Sequence, residues 1–254
     1  MLLVIGLDAA TWKVIEPNID VLPNLKRLME EGKHRTIIVK GKPHSASVWC
    51  SIFSGKTQDE HKHYNFIIDG KLQTRGDIKV DFIWDILDND LDIRVLGVPF
   101  VYPPYNFNCH YEPIGYGLSW DLGELGEDME GLSRVAKDNL SERPDVFIVI
   151  YTMLDKIQHF HWGEAMVIDW YKKIDGKVGE LLEFTNERDK IIVLSDHGFC
   201  DWDEVEVHTL PPETPEGEIK GDHHPEAILI TKNVDCDIEK PEDIFFAIKE
   251  EVKG

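Results

Sequence analysis

The segment Leu2-Leu-Val-Ile-Gly-Leu7-Asp8 decides the fold class of this chain. Its apolar residues form a short continuous run, which is typical of a strand buried on both faces of a sheet. The run is far shorter than a membrane span, and it lacks the basic first part and the small-residue cleavage site of a signal peptide. We therefore interpret it as the first strand of a parallel sheet, with Asp8 placed directly after the strand end.

The rest of the chain repeats strand patterns in alternation with helical ones. Further strand-like runs are found at Thr36–Val39, Ile93–Val98, Val146–Tyr151, Ile191–Leu194 and Ala227–Thr231. Helical spacing of apolar residues is found at Pro23–Glu31, Val80–Leu87, about Glu164–Phe184 and Pro241–Val252. This alternation predicts an α/β fold with a mostly parallel sheet sandwiched by helices. We expect one domain over 1–254, with surface excursions near 101–131 and 200–222 that frame a substrate site.

The composition describes an acidic globular chain. Its 254 residues include 48 acidic and 27 basic side chains, for a formal net charge of -21, and 42% are hydrophobic, which is enough for a sizeable core. A nucleic-acid duplex or an anionic membrane surface requires clustered Lys and Arg, so the charge argues against both as partners. Four widely spaced cysteines without a CxxC pair indicate reduced core thiols and a cytoplasmic protein.

Acidic residues follow three of the predicted strands. Asp8 comes directly after the first strand, Asp155 follows Val146–Tyr151, and Asp196 follows Ile191–Leu194. Parallel strands deliver their carboxyl ends to one edge of the sheet, where ligands bind in this class of fold. A single aspartate there is ordinarily a helix cap or a turn residue. Three of them at one edge, two with a histidine nearby, indicate a metal site.

Two histidines accompany these carboxylates. In Asp155-Lys-Ile-Gln-His159 the ligand types are four residues apart, so on a helix they share one face and can hold one ion together. The alternative is an exposed helix start, with Asp155 as the N-cap and His159 on the surface. In Asp196-His197-Gly198 an oxygen and a nitrogen ligand are adjacent, and the glycine permits a close approach of the backbone.

The remaining candidates are a third imidazole and a nucleophile. The run Gly221-Asp-His223-His224-Pro225 precedes the last predicted strand, and we expect one of its two histidines to contribute. Ser45 begins an apparent helix, where backbone N–H groups favour an anion next to the hydroxyl. The alternative for Ser45 is a plain N-cap.

Taken in order, these segments resemble the alkaline phosphatase superfamily, and within it the type I phosphodiesterase/nucleotide pyrophosphatase-like branch of phosphohydrolases and phosphomutases. The similar segments cover nearly the whole chain: Val4–Trp12, Leu22–Leu25, Ser45–Gly55, Val98–Pro104, Asp155–His159, Ser195–Phe199 and His223–Ile230. Each motif is weak alone, but the ordered set is specific.

The resemblance implies an alkaline phosphatase-like core with two divalent ions, usually zinc, with manganese, magnesium or iron as alternatives. By the motifs, one ion would be held by Asp155, His159 and His223. The other would be held by Asp8, Ser45, Asp196 and His197, with Ser45 as the catalytic nucleophile. His223 is preferred to His224 because it has the family's spacing to the proline and the last strand.

The loop after the nucleophile departs from the family pattern. The family often has a glycine after the histidine of this loop, whereas this chain has His61 followed by Lys62. We expect Lys62 and Asn65 to contact the substrate, Asn65 as a donor to a phosphoryl oxygen. His161 is also outside the pattern and is a candidate spare ligand or supporting group.

The combined hypothesis is a metal-dependent phosphoryl hydrolase that acts on phosphodiesters or nucleotide pyrophosphates through a phosphoserine intermediate. Two divalent ions would outweigh the three converging carboxylates by one charge and so convert an acidic edge into an anion-binding site. The expected partner is a small-molecule phosphate ester or a nucleotide. The alternatives are a phosphomutase or phosphomonoesterase of the same superfamily, or a catalytically idle metal-binding domain.

Overall fold

The computed structural model describes residues 1–87, 90–114 and 121–252. Its helices in this part of the chain are α1 (Trp12–Ile15), α2 (Pro23–Glu31), α3 (Ser45–Ser54), α4 (Gln58–His61), α5 (Ile83–Ile86), α6 (Leu122–Ser141), α7 (Met153–His161), α8 (Ala165–Leu182) and α9 (Asp243–Glu251). Short 3-10 segments cover Glu16–Val21, Arg75–Asp77 and Trp202–Glu204.

The strands of the described residues are β1 (Leu2–Leu7), β2 (Lys33–Ile38), β3 (Ile67–Ile68), β4 (Lys71–Leu72), β5 (Ile93–Val98), β6 (Tyr105–Phe107), β7 (Val146–Tyr151), β8 (Lys190–Leu194), β9 (Gly198–Asp201), β10 (Glu213–Thr214), β11 (Gly217–Glu218), β12 (Gly221–His224) and β13 (Glu226–Lys232). The central sheet has the order β2-β13-β8-β1-β7-β5-β6. Strands β8, β1, β7 and β5 are parallel, whereas β13 and β6 pair antiparallel with their neighbours. The predicted α/β fold with a mostly parallel sheet between helices is confirmed.

Helices cover both faces of the sheet. The alternation along β1 sends Leu2 and Val4 to one hydrophobic cluster, and Leu3, Ile5 and Leu7 to the other. The first cluster includes residues of α3, α5 and α9, and the second includes residues of α1, α2, α6, α7 and α8. Burial on both faces explains why the central strands are continuous apolar runs rather than alternating patterns.

Two segments differ from the prediction. Helix α6 occupies the end of the expected surface excursion 101–131, and sequence analysis had not assigned this helix. Glycines within the helix weakened its pattern, but the carboxylate of Asp121 caps it by accepting hydrogen bonds from the N–H groups of Gly123 and Glu124. The expected helix Val80–Leu87 shortens to α5, because the Asp85 carboxylate accepts the N–H of Phe82 and the helix begins only after it.

A small hairpin outside the main sheet places one candidate ligand. Strands β9 and β12 pair antiparallel, with His223 opposite Phe199. The two ends of the excursion near 200–222 are therefore adjacent, next to the end of β8. The β9–β12 pairing thus places His223 at the sheet edge where the strand-end aspartates lie.

The structure tests the expected burial of the cysteines and the expected absence of a membrane-spanning helix. All four cysteines are unpaired; Cys50 and Cys200 are buried, whereas Cys109 and Cys236 are partly exposed, so only the first two have the expected core position. Among the helices of the described residues, none combines the length and apolar character that crossing a bilayer requires.

Candidate active site

Three neighbouring strands bring the predicted carboxylates together. Strands β8, β1 and β7 are adjacent in the sheet, and Asp196, Asp8 and Asp155 follow their carboxyl ends. Asp155 is the third residue of α7, not its N-cap, so the exposed helix start considered as an alternative is not what forms. The Asp155 carboxylate belongs to two sets of atoms in which every pair lies within 4.8 Å: one with His159 and His223, the other with Asp8 and His197.

We call Asp155, His159 and His223 the first metal group. The Nε2 atoms of His159 and His223 are 3.1 Å apart, and they lie 3.3 and 3.0 Å from Oδ1 of Asp155. Both histidines are buried, at 1% and 7% exposure. Three potential ligand atoms from α7 and the β12 hairpin therefore surround a single point.

The tautomers of these histidines favour a cation at that point. Nδ1–H of His159 donates to the carbonyl of Gly221 at 3.1 Å, and Nδ1–H of His223 donates to the carbonyl of Pro43 at 2.6 Å. Carbonyl oxygens only accept, so in the neutral rings both Nε2 lone pairs face each other and need a proton or a metal between them. An imidazole held through its other N–H by a carbonyl is the usual arrangement of a metal ligand.

Without a metal, protons take that place in the first metal group. Burial opposes the charge on His223, but the charge and hydrogen bond of Asp155 outweigh it and raise the pKa of His223. Burial likewise opposes the charge on Asp155, yet His159 and His223 hold the pKa of Asp155 well below its usual range. The first metal group is thus neutralised internally when it holds a proton.

We call Asp8, Ser45, Asp196 and His197 the second metal group. The hydroxyl of Ser45 lies 3.1 Å from Nε2 of His197 and 3.4 Å from Oδ1 of Asp8. Oδ2 of Asp196 lies 3.2 Å from the same Nε2. Nδ1–H of His197 donates to the carbonyl of Gly198 at 2.9 Å, so the neutral ring presents a lone pair to these oxygens.

One acceptor of the second metal group lacks a donor. Oδ2 of Asp196 is buried without a hydrogen-bond partner. Burial, with the charges of Asp196 and Asp155, raises the pKa of Asp8 well above its usual range, and burial raises the pKa of Asp196 to about 7. Burial also keeps the pKa of His197 well below its usual range. Two carboxyls that retain protons in the absence of a cation, next to a neutral imidazole, are a ligand set that fits a divalent cation.

The two groups are in contact. The rings of His197 and His223 stack with their centroids 3.7 Å apart and an interplanar angle of 21°. The two candidate groups are therefore direct neighbours, and the two ions that the resemblance implies stay a prediction.

Helix α3 presents Ser45 from its first position. The residue before it, His44, is the N-cap, and Ser45 is 7% exposed. One turn later, Nε1–H of Trp49 donates to Oδ2 of Asp8 at 3.1 Å, which orients the carboxylate beside Ser45. Sequence analysis missed this role of Trp49; its spacing of four residues from Ser45 on the expected helix was the available signal.

Of the two residues expected to contact the substrate, Asn65 lines the cleft and Lys62 does not. Asn65 lines the cleft above the two groups, and its Oδ1 accepts the N–H of Ile67 at 3.4 Å, which leaves its amide N–H groups for another acceptor. Lys62 is exposed and caps α4 with φ 60°, and it is absent from the described residues that line the cleft. The left-handed position fits the glycine of the family pattern, because glycine adopts that conformation without strain; nothing in the structure explains the lysine of this chain.

Two other histidines lie outside both groups. Nδ1 of His161 pairs with Oε2 of Glu164 at 2.9 Å. Nδ1 of His224 accepts the N–H of Glu226 at 3.3 Å, so His223 alone of the adjacent pair is directed into the first metal group.

A cleft of about 630 Å³ opens above the two groups. Its apolar walls come from the β3–β4 hairpin and from the segment after β5: Phe66, Ile67, Leu72, Pro99, Val101, Tyr102 and Pro104. Thr209 and Leu210 line it as well, so both predicted excursions contribute residues. Among its described lining residues, Lys156 is the one lysine or arginine. A larger groove of about 990 Å³ between α6 and α8 contains none of the predicted site residues.

Comparison with known proteins identifies relatives of the same fold. Phosphonoacetate hydrolase from Sinorhizobium meliloti, in complex with phosphonoacetate, has a TM-score of 0.69 at 13% identity over 98% of this chain and 95% of that chain. The same enzyme with phosphonoformate matches at 0.57 and 16% identity over 79% of this chain, which spans 56% of that one. An inactive variant of murine ectonucleotide pyrophosphatase/phosphodiesterase 5, in complex with AMP, gives 0.66 at 12% identity over 99% and 94%.

The sequence itself assigns the family. No curated protein gives a match to the chain. The sequence profile described as "Type I phosphodiesterase / nucleotide pyrophosphatase" matches residues 2–244, almost the entire length. With this match, the chain belongs to the type I phosphodiesterase/nucleotide pyrophosphatase family.

Proposed function

We propose that the protein is a two-metal phosphodiesterase or nucleotide pyrophosphatase that uses Ser45 as its nucleophile. One observation carries this proposal: the Ser45 hydroxyl lies among Oδ1 of Asp8, Nε2 of His197 and the unpartnered Oδ2 of Asp196, on the floor of the cleft. This arrangement gives the hydroxyl a place in a cation's coordination sphere and an opening towards a substrate.

The two groups would hold one ion each, with Asp155 within reach of both. Carboxylate and imidazole donors suit zinc, and they also accept manganese, magnesium or iron(II). Bound divalent ions supply the positive charge that lowers the pKa of the Ser45 hydroxyl and stabilises the attacking and leaving oxygens of an in-line displacement. Trp49 and the carbonyls of Pro43, Gly221 and Gly198 orient the ligands for this task.

The residues of the chain account for both chemical steps. Oγ of Ser45 loses its proton and attacks phosphorus, the bond to the leaving oxygen breaks, and that oxygen takes up a proton and departs as the alcohol, so that Ser45 carries the phosphoryl group with its remaining ester substituent. The N–H groups of Ser45 and Ala46 lie ahead of the first intrahelical hydrogen bonds of α3 and face developing negative charge at the helix start. Asn65 donates its amide N–H to a phosphoryl oxygen. Water then attacks the phosphoserine and releases a phosphate monoester together with free Ser45.

The cleft favours a diester over a monoester. Lys156 is the one lysine or arginine among its described lining residues, which suits a phosphate with one negative charge better than one with two. The apolar wall matches an organic substituent on the phosphate, such as a nucleoside or another alcohol. The AMP complex of the murine relative supports a nucleotide as one such substrate. The unpaired thiols support the proposed cytoplasmic location.

Turnover of bis-p-nitrophenyl phosphate and p-nitrophenyl phosphate with Zn²⁺, Mn²⁺, Mg²⁺ or Fe²⁺ tests this function. The metal-loaded chain should hydrolyse the diester faster, and Ser45→Ala should retain its metal but lose turnover by about a thousandfold or more. Ser47→Ala is the matched control, because Ser47 is buried on the same helix and its hydroxyl has no hydrogen-bond partner. Wild-type turnover in Ser45→Ala, or no turnover with any metal, would contradict the proposal.

A further inference from the structure

The turn after β1 holds an unusual conformation between the two metal groups. Ala9 has φ 63°, in the left-handed region that alanine adopts at a cost. Its N–H donates to Oδ1 of Asp196 at 3.2 Å, and its own neighbour is Asp8. The conformation of Ala9 therefore sets how Asp8 and Asp196 lie relative to each other.

A buried amide holds this turn from the opposite side. Gln158 is fully buried on α7, and its Nε2–H donates to the carbonyl of Ala9 at 2.9 Å. The hydroxyl of Tyr171 donates to Oε1 of Gln158 at 3.0 Å and accepts the N–H of Thr11 at 3.0 Å. The result is a closed ring of hydrogen bonds around the turn, with the amide orientation fixed because a carbonyl only accepts.

The ring connects the two metal groups mechanically. Gln158 lies on α7 between Asp155 and His159, two candidate ligands of the first metal group. Its hydrogen bond to Ala9 therefore joins this helix to the turn that follows Asp8. Burial raises the pKa of the Tyr171 hydroxyl, which keeps it protonated as a donor. None of these contacts is needed to complete α7 or β1 as secondary structure.

We propose that Gln158 is a positioning residue that fixes the second metal group against the first, with Tyr171 as its support. The role rests on the two-metal function proposed above. Without the amide, the Ala9 carbonyl is buried with no donor and the left-handed turn loses its support. The turn then relaxes, and Asp8 and the N–H of Ala9 move away from Asp196. The first metal group keeps its own anchors, the carbonyls of Gly221 and Pro43.

Titration of the metal-free full-length chain with Co²⁺, followed by visible absorption, tests this role through binding rather than turnover. The unchanged chain should bind two equivalents. Gln158→Met, which keeps the volume and loses the amide, should weaken one equivalent by about tenfold or more and leave the other within about twofold. Tyr171→Phe should weaken the same equivalent by a smaller factor, because the bond from Gln158 to Ala9 remains.

Ser133→Ala separates positioning from general stability. Ser133 is buried and its hydroxyl bonds to the carbonyl of Met129 and the hydroxyl of Tyr151, so its loss lowers the melting temperature without touching the turn. It should leave both Co²⁺ affinities unchanged. Equal weakening of both equivalents in Gln158→Met, or wild-type binding in Gln158→Met and Tyr171→Phe, would overturn the positioning role while leaving the two-metal function intact. Failure of the unchanged chain to bind a second equivalent would contradict that function, and this role with it.

Discussion

The two metal groups are built from the same kinds of residue, yet protons affect them in opposite ways. In the first metal group the pKa of Asp155 is held low and that of His223 is raised, so carboxylate and imidazolium neutralise each other. In the second, the pKa values of Asp8 and Asp196 are raised and that of His197 is lowered. Without a metal, the first group therefore holds its proton on imidazole, whereas the second group holds its protons on the carboxyl groups.

This difference follows from the neighbours that each group has. The first group has two imidazoles for one carboxylate, and each imidazole is held by a backbone carbonyl. The second has two carboxylates for one imidazole and one hydroxyl, all buried. Burial and the repulsion between ionised Asp8 and Asp196 are therefore relieved at the second group either by protons or by a metal ion.

The largest expected effect comes from the carboxylate that the groups share. Asp155→Asn should weaken both metal equivalents and lower turnover by about a thousandfold or more, because bound ions contribute several kcal/mol to the transition state. Asp196→Asn should remove one equivalent and lower turnover by a similar factor. Elemental analysis after dialysis distinguishes the two variants. Equal metal content in the two variants would contradict the assignment of Asp155 as a ligand of both ions.

Metal removal should expose the opposite protonation of the groups as a pH dependence of stability. The pKa of Asp196 is raised to about 7 in the folded chain, so this carboxyl binds more protons in the folded state than in the unfolded state between about pH 4 and 7. The buried histidines with lowered pKa values, His44, His61 and His197, raise the melting temperature with pH in this range, whereas ionisation of Asp196 in the metal-free chain contributes a fall. Saturating Zn²⁺ should abolish this fall, since the ion binds the ionised carboxylate.

Asp196→Asn is the control for that trend. Its amide can still accept the N–H of Ala9 and can donate to the lone pair of His197, so the metal-free variant should be more stable than the unchanged chain near pH 7. Its melting temperature, measured by calorimetry, should therefore gain on that of the unchanged chain as the pH rises from about 4 to 7. The same pH dependence in both proteins would assign the titration to another group.

A smaller effect is expected where a side chain only orients a ligand. Trp49→Phe keeps the packing of α3 but removes the N–H that donates to Asp8. We expect the affinity of the second metal equivalent to fall by about tenfold, with the first unchanged. The buried Trp170→Phe on α8 is the matched control for loss of an indole. A loss shared by both equivalents would show that Trp49 stabilises the fold rather than Asp8.

The sequence could reveal the strand-end aspartates because parallel strands deliver their ends to one edge, whatever the details of packing. Other features depend on contacts between distant residues. The β9–β12 pairing that positions His223 and the carbonyls of Pro43 and Gly221 that orient the histidines have no local pattern. The local sequence also does not show that Lys62 adopts a left-handed backbone at the end of a short helix, and its substrate contact stays a prediction.

The smallest effect is expected from Lys156, which would contact the substrate rather than a metal ion. Lys156 follows Asp155 on α7 and lines the cleft on the side of the first metal group. It is partly exposed, so its charge is screened and Lys156→Met should raise KM for bis-p-nitrophenyl phosphate only about threefold to tenfold, with kcat and both metal affinities unchanged. Lys62→Met removes the same charge outside the cleft and should change neither constant. An equal rise in KM for both variants would mean that the general field of this acidic chain, rather than a contact in the cleft, governs substrate binding.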